Sequence, residues 1–166
     1  MREVPDHQEV YTDDQTDESV IVEILSLAPG NSMEEAAAAH WQSLLRLNHA
    51  QAAKVEEVVV TNLSDTLPLL AVPATLPSAP EALLLWGHMM APKFNETALN
   101  SIDVYICLLR IQQFATDVLI ILNSPTAVNP QSSSAASFLA PNPEGALALF
   151  KEVVSSFQIQ DWGLFQ

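Results

Sequence analysis

The sequence predicts an α/β fold in which a sheet is sandwiched between helices, and three observations predict it. Val55–Thr61, Leu83–Met90, Ile102–Ile111 and Val118–Leu122 are β-branched or strongly apolar and read as strands. Runs such as Leu83–Trp86 are apolar at every position, which suits a sheet covered on both faces. Helical segments with recognisable start signals precede and follow this block, so cover is available for each face.

The chain opens on an acidic stretch. Residues 1–23 hold eight of the twenty acids against one base, Arg2. Such a run ordinarily marks a solvated end, the reading composition favours; the sharper alternative is a binding face for a basic partner. Val20, Ile21, Ile24, Leu25 and Ala28 then form one stripe at helical spacing, which predicts a helix over 18–27. Val22 and the other β-branched residues leave a strand as the alternative. Pro29-Gly30 ends the element.

A second helix is predicted over 33–48. Ser32 and Glu35 have capping-box spacing, and Ala37, Trp41, Leu44 and Leu45 make its apolar face. In the strand block, Ile102–Ile111 alternates Ile102, Val104, Ile106 and Leu108 with Asp103, Tyr105 and Cys107. Gln112–Thr116 has the length of an antiparallel hairpin loop, and the hairpin of 102–111 with 117–123 is expected at the sheet centre. Residues 63–81, with Pro68, Pro73, Pro77 and Pro80, and residues 124–141, rich in Pro, Ser and Ala, read as surface loops without a central strand. The last helix is predicted over 143–157, with Asn142 as cap, Pro143 in the first turn and Ala146, Phe150, Val153, Val154 and Phe157 facing inward. Gly145 weakens its first turn by ~1 kcal/mol. The tail 159–166 adds a short strand or packs through Trp162 and Phe165.

Composition bounds the function. At 166 residues the chain fits a single domain spanning 1–166, and 49% hydrophobic residues supply a sizeable core. A net charge of −14 opposes binding to nucleic-acid phosphates and to anionic membrane. No apolar run approaches the ~20 residues that span a bilayer. The opening residues carry no secretory h-region, and one cysteine, Cys107, fits a reducing compartment. The four glycines, Gly30, Gly87, Gly145 and Gly163, are too far apart for a P-loop, a dinucleotide fingerprint or a nucleophile elbow.

Candidate catalytic groups are sparse. His7, His40, His49 and His88 form no metal-binding spacing and read as structural. Cys107, inside an apolar strand, reads as a small hydrophobe. Asp103 and Asp117 bracket the hairpin, and paired carboxylates are capable of acid–base work, although solvation at strand ends is the ordinary role. Asn62 and Asn95 head glycosylation sequons that match by chance in a chain without a signal peptide. Trp41, Trp86 and Trp162 read as packing residues. No nucleophile, base and oxyanion site assemble, so the residues describe a binding module with no catalytic residue, metal or cofactor.

The opening, Arg2-Glu3-Val4-Pro5-Asp6-His7-Gln8-Glu9-Val10-Tyr11, resembles the signature of the Ran guanine nucleotide release factor family, the Mog proteins. The resemblance continues through 17–25, returns at Ala91-Pro92-Lys93-Phe94-Asn95-Glu96, and is strong in 108–125, where Arg110, Gln113, Thr116 and Asp117 form an L-x-R-x-x-Q-x-x-T-D block. It implies an α/β/α sandwich with a mainly antiparallel central sheet, similar to PsbP-like domains. It implies binding to the small GTPase Ran and promotion of guanine nucleotide release, in support of nuclear transport, by a non-enzymatic monomer of nucleus and cytoplasm. The acidic residues tied to Ran binding in the family motif fall on Asp6 and Glu9. The departure is at the start: family members usually carry a leading L-[YF]-G-G-A-type strand before the motif, and here Met1 directly precedes Arg2. Two other readings stand beside this one: an adaptor of the same fold for another basic protein, and an enzyme using Asp103 and Asp117.

Overall fold

The computed structural model describes residues 6–13, 15–136, 138 and 142–165. Its frame is a six-stranded sheet in the order β1-β2-β6-β5-β4-β3. The strands are β1 (Gln8–Thr12), β2 (Ser19–Ser26), β3 (Ala52–Thr61), β4 (Glu81–Pro92), β5 (Leu99–Ile111) and β6 (Thr116–Ala127). Every neighbouring pair is antiparallel. Helix α1 (Met33–Leu47) covers one face, and α3 (Pro143–Ser156) covers the other, with the single-turn helix α2 (Leu63–Thr66) beside it.

The two faces follow from side-chain alternation along each strand. Under α1 lie Leu83, Leu85, Val104, Ile106, Leu108, Leu119 and Ile121, packed on Met33, Ala36, Ala37 and Trp41. Under α3 lie Ala82, Tyr105, Cys107, Leu109, Ile120 and Leu122, packed on Ala146, Phe150 and Val154. The apolar runs of β4–β6 are thus apolar because both faces are covered. The predicted hairpin is central, with β5 and β6 as the two middle strands. A 3₁₀ turn at Gln112–Phe114 and Ala115 in the left-handed region (φ 49°) connect them.

Both long helices start as their caps dictate. The Glu35 amide donates to Ser32 Oγ at 3.2 Å, while the Glu35 carboxylate accepts from Asn31 N rather than from the cap's own amide. Asn142 Oδ1 accepts from Gly145 N at 3.0 Å. A Cβ at residue 145 would lie 2.3 Å from Asn142 Nδ2, so the glycine that weakens the turn also admits its cap.

The structure corrects several expectations. Residues 19–26 form a strand, not a helix. β2 lies between β1 and β6, so Val20 and Val22 face the α3 side while Ile21 and Leu25 face the α1 side. A strand apolar on both faces produces the same spacing as a helical stripe, and β-branching decides for the strand. β1 was not anticipated in an acidic stretch. β3 starts at Ala52 and β6 runs to Ala127, so Pro125 lies inside a strand, opposite Ile102 at an irregularity in register where a missing N–H is tolerated. The stretch 63–81 is not only a surface excursion: it contains α2, its Leu67 and Leu70 are buried in the α3-side core, and Glu81 opens β4. The tail packs through a 3₁₀ turn at Trp162–Phe165, with Phe165 stacked on Phe114. Residues 137 and 139–141 of the second predicted loop lie outside the described residues.

Candidate functional site

The acidic opening is partly built into the sheet. Asp6 sits in a turn leading into β1, and Glu9 is the second residue of that strand. β1 pairs with β2 alone among the described residues, so it is an edge. Both side chains are exposed, and three residues of chain keep their Cα atoms within about 10 Å. Asp6 therefore lies outside regular structure, and Glu9 lies within a strand. Met1–Pro5, which include the first four residues of the matching motif, lie outside the described residues, as does Asp14.

Local contacts orient this edge. The Glu9 carboxylate accepts a hydrogen bond from the Tyr11 hydroxyl, two residues along on the same face. That bond, and then the charge of Glu9, hold the Tyr11 phenol above its usual pKa. On the opposite face Gln8 Nε2 donates to Glu23 Oε1 at 3.3 Å, and His7 Nε2 lies 3.8 Å from the same oxygen. Burial raises the Glu23 carboxyl pKa, and the nearby His7 and His40 partly offset it. The Ile24 amide donates to His7 O at 2.9 Å, extending the pairing to the residue beside Asp6. Glu9 and Asp6 are thus carboxylates on a braced edge, open to an approaching cation.

The L-x-R-x-x-Q-x-x-T-D block builds something else. Arg110 and Asp117 are cross-strand partners, and Asp117 is wholly buried. His40 Nε2 on α1 lies 2.8 Å from Asp117 Oδ2, and the Ala28 amide donates to the same oxygen at 2.8 Å. Burial alone would raise the Asp117 pKa; the bonds from His40, Arg110 and Ala28 outweigh it and hold the carboxyl at about 2. This network joins the hairpin, α1 and the β2–α1 connection. Sequence reasoning marked the block but missed its role, for which an Arg and an Asp flanking an apolar hairpin were the available signal.

Asp103 and Asp117 do not form a pair. Asp103 stands opposite Ser124 and His88, whose Nδ1 lies 3.0 Å from its Oδ1, whereas Asp117 is at the other end of the hairpin. The two carboxylates share no site for acid–base work. Cys107 is fully buried, and burial pushes its thiol up to about 12, far from a reactive thiolate. Trp41 is a core residue; Trp86, stacked parallel to Tyr105, is 38% exposed and is only half a packing residue. No cluster of metal-binding side chains occurs among the described residues, and no helix among them is long and apolar enough to cross a membrane.

Comparison with known proteins adds relatives to this geometry. The family model described as "Ran-interacting Mog1 protein" matches residues 1–125. The Ran guanine nucleotide release factor of Danio rerio is 35% identical over 165 residues, spanning 99% of this chain and 87% of the relative. That of Homo sapiens is 32% identical, spanning 99% and 84%. The nuclear import protein MOG1 of Saccharomyces cerevisiae is 28% identical, spanning 99% and 74%. The crystal structure of the Saccharomyces cerevisiae Ran-binding protein Mog1p matches with a TM-score of 0.56 at 23% identity, over 93% of this chain and 79% of that one, a likeness of fold.

Proposed function

The chain belongs to the Ran-interacting Mog1 family, and from that membership we propose that it binds the small GTPase Ran and promotes release of Ran's guanine nucleotide in support of nuclear transport. The observation that carries the reading to particular residues is the exposure of Asp6 and Glu9 on the open β1 edge, inside the segment matched by the family. The protein acts as a binding partner rather than as an enzyme, as a monomer, and in the nucleus and cytoplasm where Ran cycles. Neither a cofactor nor a nucleic acid enters the reading.

Release requires differential affinity. A protein that binds nucleotide-free Ran more tightly than loaded Ran lowers the affinity of Ran for nucleotide by the same factor. GTPases of this class hold their phosphates with a lysine, backbone amides and magnesium. An acidic edge that attracts cationic groups of Ran favours arrangements in which those groups hold phosphate less well. The net charge of −14 speeds the encounter with a basic surface. Calorimetric titration of the chain into nucleotide-free and GTP-loaded Ran tests this: tighter binding to the nucleotide-free form is expected, and equal affinity would remove the basis for release.

A further inference from the structure

The opposite edge of the sheet is also open. Among the described residues β3 is paired on one side only, to β4. Its first half is blunted by Lys54 and by a bulge between Val55 and Glu57, devices that discourage pairing at an edge. Beyond Glu57, at the end of the bulge, Val58–Thr61 carries no charge, proline or further bulge. Glu57–Thr61 runs in unbroken register along Ala82–Trp86, and Val58, Val59 and Val60 are 41%, 44% and 52% exposed.

The two faces beside this edge differ in chemistry. On the α3 side the edge opens onto a groove of about 480 Å³ lined by Val59, Leu84, Trp86, Tyr105, Leu147 and Phe150. Glu57, Glu144 and Lys151 stand on its rim. On the α1 side Val60 borders a polar depression holding Glu34 and Glu81; Arg110, which also reaches it, is committed to Asp117. The Glu34 carboxyl is held below its ordinary pKa by its own backbone N–H and by Ser32 at the helix start, so it carries charge.

We propose that the β3 edge is a second protein-interaction site, taking an extended basic segment of a partner by β-strand addition. Backbone amides pair along Glu57–Thr61, and side chains then alternate between the faces. Apolar side chains at every second position enter the Trp86 groove. Lys or Arg at the intervening positions lay their stems over Val58 and Val60 and carry their charges to Glu34 and Glu81. The apolar floor of the groove on one face and the carboxylates of the depression on the other fix the alternation. A second copy of the chain is disfavoured, since each copy carries a net −14. The site is separate from the Asp6 and Glu9 edge: five strand spacings, about 24 Å, lie between β1 and β3.

Titrating the full chain with a short acetylated and amidated peptide that alternates leucine and arginine tests this. Saturable binding with shifts in the amides of Glu57–Thr61 is expected. N-methylating alternate peptide amides along one edge should abolish binding, and methylating the other edge should spare it. Glu34→Lys with Glu81→Lys should weaken it by about tenfold, as should Leu147→Glu at the exposed groove mouth, with Ran binding unchanged in both variants. Absence of saturable binding, binding indifferent to N-methylation and charge reversal, or a chain that sediments as a dimer with its β3 amides protected would each overturn the proposal.

Discussion

Arg110 and Asp117 face each other across the central hairpin and meet at two points, with Nε 2.8 Å from Oδ1 and Nη2 2.8 Å from Oδ2. The same Nη2 donates to Ala28 O at 2.7 Å. One guanidinium therefore ties both middle strands to the connection entering α1. With His40 and the Ala28 amide it fills the hydrogen-bonding capacity of a buried carboxylate, the condition under which an ion pair is tolerated inside a protein.

Removing one partner strands the others. Asp117→Ala should cost about 3–5 kcal/mol, because it leaves Arg110 buried and uncompensated beside His40. Urea denaturation followed by circular dichroism measures this; a loss below ~1 kcal/mol would mean that water reaches the guanidinium.

The same carboxylate sets an acid limit. Its folded pKa of about 2 lies below the ordinary 3.8, so its contribution is complete above 3.8 and disappears as pH falls toward 2. The shift corresponds to about 2 kcal/mol. Stability of the parent chain should fall through that window, and Asp117→Asn should start lower at neutral pH and lose less between pH 4 and pH 2. Parallel profiles for the two proteins would assign the acid transition to other groups.

Gly87 supports the sheet by lacking a side chain. A Cβ there would stand 2.8 Å from Trp41 Cη2 and 2.9 Å from Lys54 O. Gly87→Ala should therefore destabilise by about 1–3 kcal/mol, as overpacking of a filled core does. Unchanged thermal melting would show that Trp41 has room to move.

Leu119 and Ile121 point into the α1-side core and are almost fully buried. Leu119→Asp or Ile121→Asp should cripple folding, since an unpaired buried charge costs several kcal/mol. Soluble expression with a parent-like melting curve would contradict this.

The parts of the fold readable in the sequence were those with strong local signals. Ser32 and Asn142 announced their helices, and the apolar runs of β4–β6 announced a sheet covered on both faces. β2 was misread because an edge-proximal strand touching both cores carries apolar residues on successive positions, as a helix does. β1 went unseen because an edge strand of Gln8, Glu9, Val10, Tyr11 and Thr12 is held by pairing to β2 rather than by burial. At the candidate site, the resemblance supplied Asp6 and Glu9, while the bond between Glu9 and Tyr11 required the strand that places them on one face. The buried network was legible as residues but not as an assembly, since His40 and Asp117 lie 77 positions apart.

The proposed role of Asp6 and Glu9 in releasing nucleotide from Ran is read out by the rate at which Ran loses labelled guanine nucleotide. The parent chain is compared with Asp6→Lys combined with Glu9→Lys, and with a charge-matched control, Asp65→Lys combined with Glu152→Lys, at exposed positions elsewhere. Surface changes of this kind shift stability within ~0.5 kcal/mol, and melting curves verify that all three proteins are folded. Acceleration is expected from the parent and from the control, and release at the spontaneous rate with the Asp6 and Glu9 variant. Acceleration by that variant equal to the parent's would contradict that role.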